Sequence, residues 1–238
     1  MLSIKNLTVS VEGKKILRDF AFDFLPGKTY ALMGPNGSGK STLASAIMGH
    51  PAYTLSRPSK ILLGRKNLKN LAPDERARLG VFLSFQTPME LAGVNVFELL
   101  RLALEKKIAP VELHTLVAKH AKELRIKDEL LRRSLNVGFS GGEKKKLEAL
   151  QAALLSPRFA IFDEIDTGVD VDALKTITKF LRRHLPEETT LIFITHSVRL
   201  LRATQPDQVL ILKDGRLVKT GRAALAKKIE EQGFDSIK

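Results

Sequence analysis

The chain alternates short apolar runs with longer segments in which apolar residues recur at helical spacing. Runs at 29–33, 81–85, 160–163 and 191–194 are too short and too uniformly apolar to be amphipathic helices, so they predict buried strands. Helical spacing follows several of these runs, most clearly at 40–49, at 171–184 and after Ser197. This order of strands and helices predicts an α/β fold.

Strands without intervening helices are predicted at both ends of the chain. Residues 3–9 and 20–25 predict two strands around a turn, and we expect them to form part of an antiparallel β subdomain. A further short strand is predicted at 61–63. Near the C-terminus, strands at about 208–212 and 216–219 flank the Asp214-Gly215 turn, and a short charged helix follows.

The middle of the chain has a different character, because residues 95–133 are predicted to be mostly helical. We expect residues 1–238 to form one domain, with an α/β core at about 1–86 and 151–238 and an inserted helical subdomain at about 87–150. His114 and His120 lie six residues apart and do not share a helix face. They are therefore predicted to be surface histidines and not a metal site.

Composition excludes several classes of protein. The 238 residues include no cysteine, which excludes disulfides, zinc fingers, thiolate catalysis and an iron–sulfur cluster held by the chain's own thiolates. No apolar run reaches the length of a membrane span, and the N-terminus enters a strand pattern without a signal peptide. We therefore expect a cytoplasmic protein without direct membrane insertion.

The net charge of +13 allows two interpretations. One is a polyanionic partner, either nucleic acid or an anionic membrane surface. The other is solubility combined with attraction to a nucleotide and to an acidic protein. The basic residues are spread along the chain and are not interleaved with aromatic residues, so we favour the second interpretation and predict no nucleic-acid partner.

The segment Gly34-Pro35-Asn36-Gly37-Ser38-Gly39-Lys40-Ser41 matches the G-x-x-x-x-G-K-[ST] pattern of a phosphate-binding loop. Its glycines allow the backbone N–H groups to approach a triphosphate, and the following helix directs its positive end toward the phosphates. Lys40 is expected to contact the β- and γ-phosphates, and Ser41 to bind Mg²⁺. A predicted strand before the loop and a predicted helix after it make a chance match improbable.

Two carboxylates end the predicted strand at 160–163. Successive side chains at a strand end point in different directions, so Asp163 is expected to hold Mg²⁺ while Glu164 acts as general base or positions the attacking water. The alternative is a pair of acidic residues that only caps the following segment.

Three further segments are expected near the nucleotide. Ser140-Gly141-Gly142 begins a predicted helix and exposes N–H groups that suit an anion. Gln86 and His196 each follow a buried strand at the edge of the sheet where ligands bind in α/β folds. Gln86 is expected to link Mg²⁺ and water to the helical insert, and His196 to contact the γ-phosphate, although a single Gln or His at such a place is more often structural.

In this order along the chain, the motifs resemble those of the ATP-binding cassette ATPases, and the resemblance covers almost the whole sequence. It implies an α/β fold with a P-loop ATP-binding cassette core, and ATP and Mg²⁺ as cofactors. It also implies a transient, ATP-dependent head-to-tail dimer in which Ser140, Gly141 and Gly142 close the ATP site of the opposite copy, with residues 166–170 bridging the two sites. The predicted catalytic residues are Glu164 and His196, the predicted metal ligands are Ser41, Gln86 and Asp163, and the predicted cofactor-binding residues are Gly34, Pro35, Asn36, Gly37, Ser38, Gly39, Lys40, Ser41, Thr42, Gln86, Ser140, Gly141, Gly142 and Asp163.

The sequence departs from the common pattern of that family at several positions. Val11 takes the place of the aromatic residue that stacks on adenine, so we expect weaker stacking and a looser base preference. Phe139 and Glu143 flank the Ser-Gly-Gly motif where transporters usually have Leu and Gln, and Ile165-Asp166 follows Glu164 in place of the common Pro-Thr or Pro-Ser.

These departures resemble the SufC branch of the family, the soluble cassette ATPases of iron–sulfur cluster assembly. The segments that carry this resemblance are 49–53, 73–78, 136–145, 167–175 and 230–234. It implies partners similar to SufB and SufD, scaffold proteins in which ATP drives conformational change.

The main alternative is the nucleotide-binding subunit of a membrane ABC transporter. A DNA-associated cassette ATPase is disfavoured because the sequence between the phosphate loop and Ser140 holds no sustained heptads and no cysteines. A binding-only role is disfavoured because Lys40, Asp163, Glu164 and His196 are all present.

Overall fold

The structure is a computed structural model that describes residues 1–236, and the chain divides into two units. The first comprises residues 1–83, 158–164 and those from 187 onward, and the second comprises 84–157 and 165–186. The strands are β1 (Leu2–Val11), β2 (Lys14–Phe24), β3 (Thr29–Met33), β4 (Thr54–Leu55), β5 (Lys60–Leu63), β6 (Lys66–Asn67), β7 (Val81–Ser84), β8 (Phe159–Asp163), β9 (Thr190–Ile194), β10 (Gln208–Lys213) and β11 (Arg216–Gly221). The helices are α1 (Lys40–Met48), α2 (Pro73–Arg78), α3 (Val96–Leu104), α4 (Pro110–Glu123), α5 (Asp128–Arg132), α6 (Gly141–Leu155), α7 (Val171–His184), α8 (Val198–Thr204) and α9 (Ala223–Gln232), followed by a 3₁₀ turn at Phe234–Ser236.

The first sheet is antiparallel. β1 pairs with β2 on one side and with β5 on the other, in the order β2-β1-β5-β6, and β4 adds a short pairing to the end of β1. In β1, Leu7 and Val9 are buried and Thr8 between them is partly exposed, as expected for a sheet with one buried face. The predicted antiparallel β subdomain is therefore confirmed.

The second sheet has the order β11-β10-β3-β9-β8-β7. Within it, β10, β3, β9 and β8 are parallel, and β11 pairs antiparallel with β10. Every residue of β8 is buried, which explains why this strand appears in the sequence as a continuous apolar run. Because β3, β8 and β9 are parallel neighbours, the segments that follow them leave the same edge of the sheet.

The two sheets of the first unit share one hydrophobic core. Phe24 of the antiparallel sheet meets Phe159 of β8 edge to face, with ring centroids 5.6 Å apart. Leu43 and Ile47 of α1 are fully buried in the same cluster. Burial of one such side chain contributes roughly 1.5–3 kcal/mol, so α1 and the loop before it are firmly anchored.

The second unit is built from α3 to α7, with α6 at its centre. α6 packs against α3, α4 and α7, and its apolar residues Leu147, Leu150 and Leu154 are buried. Helices α3, α4 and α5 occupy the segment 95–133 that helical spacing predicts. The unit also includes α7. The sequence analysis places this helix in the α/β core, because its hydrophobic pattern does not distinguish it from the other helices that follow a strand.

Three features differ from what the sequence pattern indicates. β2 begins at Lys14 rather than near residue 20, because pairing of Lys14 and Lys15 with the end of β1 extends the ladder through polar residues. The two-residue strands β4 and β6 are too short to leave a hydrophobic pattern. His120 is only 7% exposed, so its prediction as a surface histidine is wrong, whereas His114 is exposed as predicted.

None of the helices in the described part of the chain has the length and hydropathy that a membrane span requires.

Candidate active site

The predicted phosphate-binding loop connects β3 to α1. A Cβ atom on Gly34 would lie 2.0 Å from the carbonyl oxygen of Leu212, so only glycine fits where the chain leaves the strand. Gly39, the N-cap of α1, has φ 103°, a conformation that glycine adopts without a steric penalty. The loop is therefore shaped by its glycines as the motif predicts, and α1 begins at Lys40 with its N-terminus at the loop.

Lys40 is held inside this loop. Its Nζ donates hydrogen bonds to the carbonyl oxygens of Gly34, at 2.9 Å, and Pro35, at 3.0 Å. Burial lowers the pKa of Lys40, and the negative charges of Glu164 and Asp163 oppose this shift. The ammonium group of Lys40 is thus stabilised by the two carboxylates that the sequence assigns to the site. Because the group is partly buried, a bound anion would stabilise its positive charge further.

Ser38 supplies a second feature that fits an anion. Its Oγ is buried and has no hydrogen-bond partner among residues 1–236. A buried hydroxyl without a partner costs about 1–3 kcal/mol, and a phosphate oxygen would satisfy it. The backbone of the same residue is fixed, because the N–H of Gly215 in the β10–β11 turn donates to the carbonyl oxygen of Ser38 at 3.1 Å.

Asp163, Glu164 and His196 lie at the edge of the sheet from which the phosphate loop also leaves. Asp163 ends β8 and is 4% exposed. Glu164 adopts φ 51°, and its backbone N–H donates to the carbonyl oxygen of Ile194 at 3.0 Å. His196 is largely exposed, and its Nδ1 lies 3.9 Å from Oε1 of Glu164. The first unit therefore gathers Lys40, Asp163, Glu164 and His196 around one loop.

The Ser-Gly-Gly segment begins α6 in the second unit. Ser140 is the N-cap, and its Oγ accepts a hydrogen bond from the N–H of Glu143 at 3.4 Å. The Glu143 carboxylate accepts in return from the N–H and the hydroxyl of Ser140, both at 2.8 Å. These bonds from Ser140 lower the pKa of Glu143. Ser140 and Gly141 are exposed, so the positive end of this 15-residue helix faces solvent.

The loop before α7 adjoins the start of α6. A Cβ on Gly141 would lie 3.3 Å from the carbonyl oxygen of Gly168, so the two segments approach closely. Asp170 caps α7 by accepting from the N–H of Ala173 at 2.7 Å. The residues that family resemblance assigns to the opposite ATP site and to the bridging loop are therefore neighbours within the second unit.

The sequence interpretation missed a buried network next to Gln86. Glu148 of α6 accepts from the hydroxyl of Ser84 at 2.7 Å and from the N–H of Phe85 at 3.1 Å. Lys145 pairs with Glu148 at 3.2 Å and donates to the carbonyl oxygen of Phe85 at 2.7 Å. Gln86 itself is exposed. A Lys and a Glu three residues apart on the predicted helix, the spacing at which side chains can pair, were the available signal.

The model of the protein family described as "ABC transporter" matches residues 17–167 of the chain. These residues include the phosphate loop, Ser140–Gly142 and the Asp163-Glu164 pair. The chain belongs to the ABC transporter family. With this motif set it is an ABC-type ATPase that uses ATP.

Relatives of this ABC ATPase match along nearly its full length. The Probable ATP-dependent transporter ycf16 of Cyanophora paradoxa is 42% identical over 243 residues, covering 99% of this chain and 93% of the relative. The Vegetative protein 296 of Bacillus subtilis strain 168 is also 42% identical, covering 100% of this chain and 93% of the relative.

Solved structures confirm the cassette fold. A dimeric bacterial ABC transporter cassette superposes with a TM-score of 0.80 at 20% identity, covering 94% of this chain and 99% of that one. An ATP-binding subunit of an ABC transporter superposes with a TM-score of 0.80 at 25% identity, covering 98% of this chain and 93% of that one.

Within the cassette, the structure places the predicted residues in two groups. The phosphate loop, Asp163, Glu164 and His196 belong to the first unit, with Ser41 exposed and Thr42 half-buried. Gln86 and Ser140–Gly142 belong to the second unit. The first group thus brings an ammonium group, two carboxylates and an imidazole together with the phosphate loop.

Proposed function

We propose that the chain binds Mg-ATP with the residues of the phosphate loop and hydrolyses it with Glu164 and His196. The hydrogen-bond donors of the loop and the ammonium group of Lys40 would hold the phosphates, while Ser41, Asp163 and Gln86 offer the oxygen donors that Mg²⁺ prefers. Bound Mg²⁺ would neutralise charge on the phosphates. The buried, unpaired hydroxyl of Ser38 is the observation that best supports this fit.

Glu164 is the proposed general base. Its carboxylate would accept a proton from water or orient that water toward the γ-phosphate. His196 lies beside it, with its ring nitrogen 3.9 Å from the carboxylate and enough exposure to reach a bound phosphate. Lys40 would bind the phosphates in both the ground state and the transition state, so its contribution includes binding as well as catalysis.

The proposal includes a head-to-tail dimer. The first unit contains the phosphate loop but no Ser-Gly-Gly segment, and in the second unit Ser140 and Gly141 are exposed to solvent at a helix N-terminus. The exposed N–H groups there suit a phosphate from a second copy. A dimeric structure of a bacterial cassette with the same fold supports this arrangement.

We further propose that the chain energises a soluble scaffold of the SufB and SufD type. The residues that distinguish the SufC branch support this, among them Glu143, which forms a reciprocal cap with Ser140. The second candidate is the nucleotide-binding subunit of a membrane transporter, and the name of the ycf16 relative, a probable ATP-dependent transporter, favours it. Both candidates use the same ATP site and differ in the partner.

The proposed docking segment runs from Gln86 to Phe97. Two large apolar side chains beside Gln86 are exposed, Phe85 at 44% and Met89 at 68%. Exposed apolar side chains grouped on one segment mark sites of protein interaction more often than isolated ones do. Movement at Gln86 during the ATP cycle would then reach the partner directly.

Affinity purification of the tagged chain from its native cells tests the choice of partner. Recovery of SufB- and SufD-like proteins in the soluble fraction is expected, whereas recovery of multi-span membrane proteins would favour the transporter. Met89→Asp should weaken capture, and Val111→Asp serves as the matched control because Val111 is also an exposed apolar residue, on α4. Equal capture by both variants would remove the docking segment from the proposal.

A further inference from the structure

Three potential metal ligands converge in the second unit, outside the proposed ATP site. His120 and Glu123 lie three residues apart on α4, and His184 is the last residue of α7. One ligand atom from each residue can be chosen so that all three lie within 4.8 Å of one another. Two imidazole nitrogens and one carboxylate form a donor set that suits divalent transition metals.

His120 is the residue that most needs an explanation. It is 93% buried, being 7% exposed, and its Nδ1 has no hydrogen-bond partner among residues 1–236. Its ring packs edge to face on Phe180, with centroids 5.2 Å apart, and on His184, at 4.4 Å. A buried imidazole with an unsatisfied nitrogen is costly, and a phenyl ring would pack in such a place without that cost.

An ion-pair network explains the other two residues but not His120. Glu123 accepts from Arg183 at 2.7 Å through one carboxylate oxygen and lies 2.7 Å from Nε2 of His184 through the other. These bonds tie the end of α4 to the end of α7. They leave the buried nitrogen of His120 without a role.

We propose that His120, Glu123 and His184 bind one divalent transition-metal ion, with Zn²⁺ or a metal of similar coordination preference as the occupant. Zinc binds imidazole nitrogen and carboxylate oxygen at roughly 2.0–2.2 Å, which places neighbouring ligand atoms about 3.4 Å apart in a tetrahedral site. The three ligand atoms lie within 4.8 Å of one another, so side-chain rotations would have to adjust their separations to this spacing. The ion would take the place of the hydrogen bond between His184 and Glu123.

The surroundings contain features that favour a cation and one that opposes it. Glu123 and His184 are the last residues of their helices, where the negative ends of two helix dipoles attract positive charge. Arg183 opposes the ion by its charge, yet it holds the second oxygen of Glu123 and so orients the carboxylate. Burial lowers the pKa of His120, with His184 and Lys119 acting in the same direction and Glu123 against it.

The site is also accessible. The side chains of His184 and Glu123 are 18% and 27% exposed, so an ion can enter from solvent and retain a water ligand. Three protein ligands with an open fourth position is the arrangement of zinc sites that are not purely structural. Metal binding by these three residues would require neither the scaffold partner nor ATP hydrolysis.

Titration of the metal-free chain with Co²⁺, followed by its visible absorption and by competition with Zn²⁺, tests the proposal. Because the chain has no cysteine, thiolate ligation cannot contribute to the signal. One Co²⁺ per chain is expected, with a spectrum of low-symmetry nitrogen and oxygen coordination. Absence of stoichiometric binding would overturn the proposal.

Two partly exposed ligands allow variants that should still fold. Glu123→Gln and His184→Asn should each weaken Co²⁺ binding at least tenfold, and His120→Asn should do the same if its circular dichroism remains that of the parent chain. His114→Asn is the matched control, because His114 is on the same helix but packs on Phe97 with centroids 5.6 Å apart. Equal affinity in Glu123→Gln, His184→Asn and His114→Asn would place the metal elsewhere and reject the site.

Discussion

At the scale of single residues, the conformation of Glu164 is the most informative detail of the proposed ATP site. Its φ of 51° is unusual for a residue with a side chain, and the left-handed region costs about 1–2 kcal/mol. The bond from its N–H to Ile194 helps to hold this conformation. The direction of the carboxylate is therefore set by the backbone at the end of β8, next to Asp163 and within the field that acts on Lys40.

Replacement of Glu164 by Gln tests its role as base. The amide keeps the size of the side chain but cannot accept a proton, so ATP hydrolysis should fall about 10²–10⁴-fold while ATP binding persists. Size-exclusion chromatography with ATP should show a dimer that accumulates, because it no longer resolves by hydrolysis. Glu188→Gln, at an exposed carboxylate of the same unit, is the control. Hydrolysis at the parent rate in Glu164→Gln would reject the assignment.

Val11 allows a prediction about the adenine base. It lies half-buried at the end of β1, at the position where the family resemblance implies an aromatic residue. Stacking of a base on an aromatic side chain contributes roughly 1–3 kcal/mol, so Val11→Tyr should tighten ATP binding about tenfold. Isothermal titration with ATP measures this change, and Val11→Leu controls for added apolar surface. If the Tyr and Leu variants bind ATP equally well, adenine does not stack at this position.

Residues whose role depends on local backbone geometry were the easiest to predict. The spacing of Gly34, Gly39 and Lys40 specifies a strand, a turn and a helix, and the structure has all three. His120 was predicted wrongly because its burial depends on Phe180 and His184, which are distant in sequence and approach it only in the folded unit. The helical spacing was an available signal, because His120 lies on the same buried face of α4 as Leu113 and Val117.

At the scale of secondary-structure elements, α6 joins two features of the second unit. Its N-terminus carries the Ser140–Glu143 cap, and one turn later it carries the buried pair of Lys145 and Glu148. Burial raises the pKa of Glu148, whereas Lys145, Ser84 and the N–H of Phe85 lower it. The helix thereby fixes the backbone just before Gln86 by charged hydrogen bonds rather than by apolar packing.

Removal of the positive partner should destabilise this element strongly. Lys145→Met leaves a buried carboxylate without its cation, and breaking such a pair costs about 3–5 kcal/mol. Lys144→Met is the control, since the partner of Lys144, Glu90, is half exposed. Urea unfolding of both variants measures the difference, and a loss below about 1 kcal/mol for Lys145→Met would show that the pair contributes little net stability.

The same variant gives a pH dependence with a defined sign. Without Lys145 the pKa of Glu148 in the folded state rises further above the ordinary value of 4.5. A raised folded-state pKa means that the folded chain binds more protons than the unfolded chain as pH falls toward 4.5. The stability deficit of Lys145→Met should therefore be largest near neutral pH and shrink on acidification. A deficit that grows with acidification contradicts the assigned environment of Glu148.

Elements with a strong hydrophobic pattern were predictable, and those maintained by pairing alone were not. β8 and β9 are almost entirely buried, so all their residues except Asp163 and Thr190 are apolar. The first two residues of β2, Lys14 and Lys15, are polar and belong to the strand because the end of β1 pairs with them. The inclusion of α7 in the helical unit depends on its packing against α6, which no local pattern reports.

At the scale of the whole molecule, the proposed ATP site requires groups from two different copies of the chain. The first unit supplies Lys40, Asp163, Glu164 and His196, and Ser140 and its glycines are proposed to come from the second unit of a neighbour. An isolated chain should then have low specific activity that rises with protein concentration or when partners bring two copies together. Specific activity that is high and independent of concentration would contradict the dimer.

Complementation between two inactive variants tests the exchange of site halves directly. Lys40→Ala lacks a phosphate ligand but keeps an intact Ser140 segment, whereas Ser140→Arg places a bulky side chain at the start of α6 but keeps an intact phosphate loop. A head-to-tail dimer of the two contains one complete site, formed by the phosphate loop of the Ser140→Arg chain and the Ser140 segment of the Lys40→Ala chain. The mixture should therefore hydrolyse ATP although neither variant does so alone.

A mixture of Lys40→Ala with Glu164→Gln is the matched control, because both variants are defective in the same half and their dimer contains no complete site. If both mixtures stay inactive while each variant keeps its fold by circular dichroism, the site is completed within one chain and head-to-tail assembly is not the source of activity.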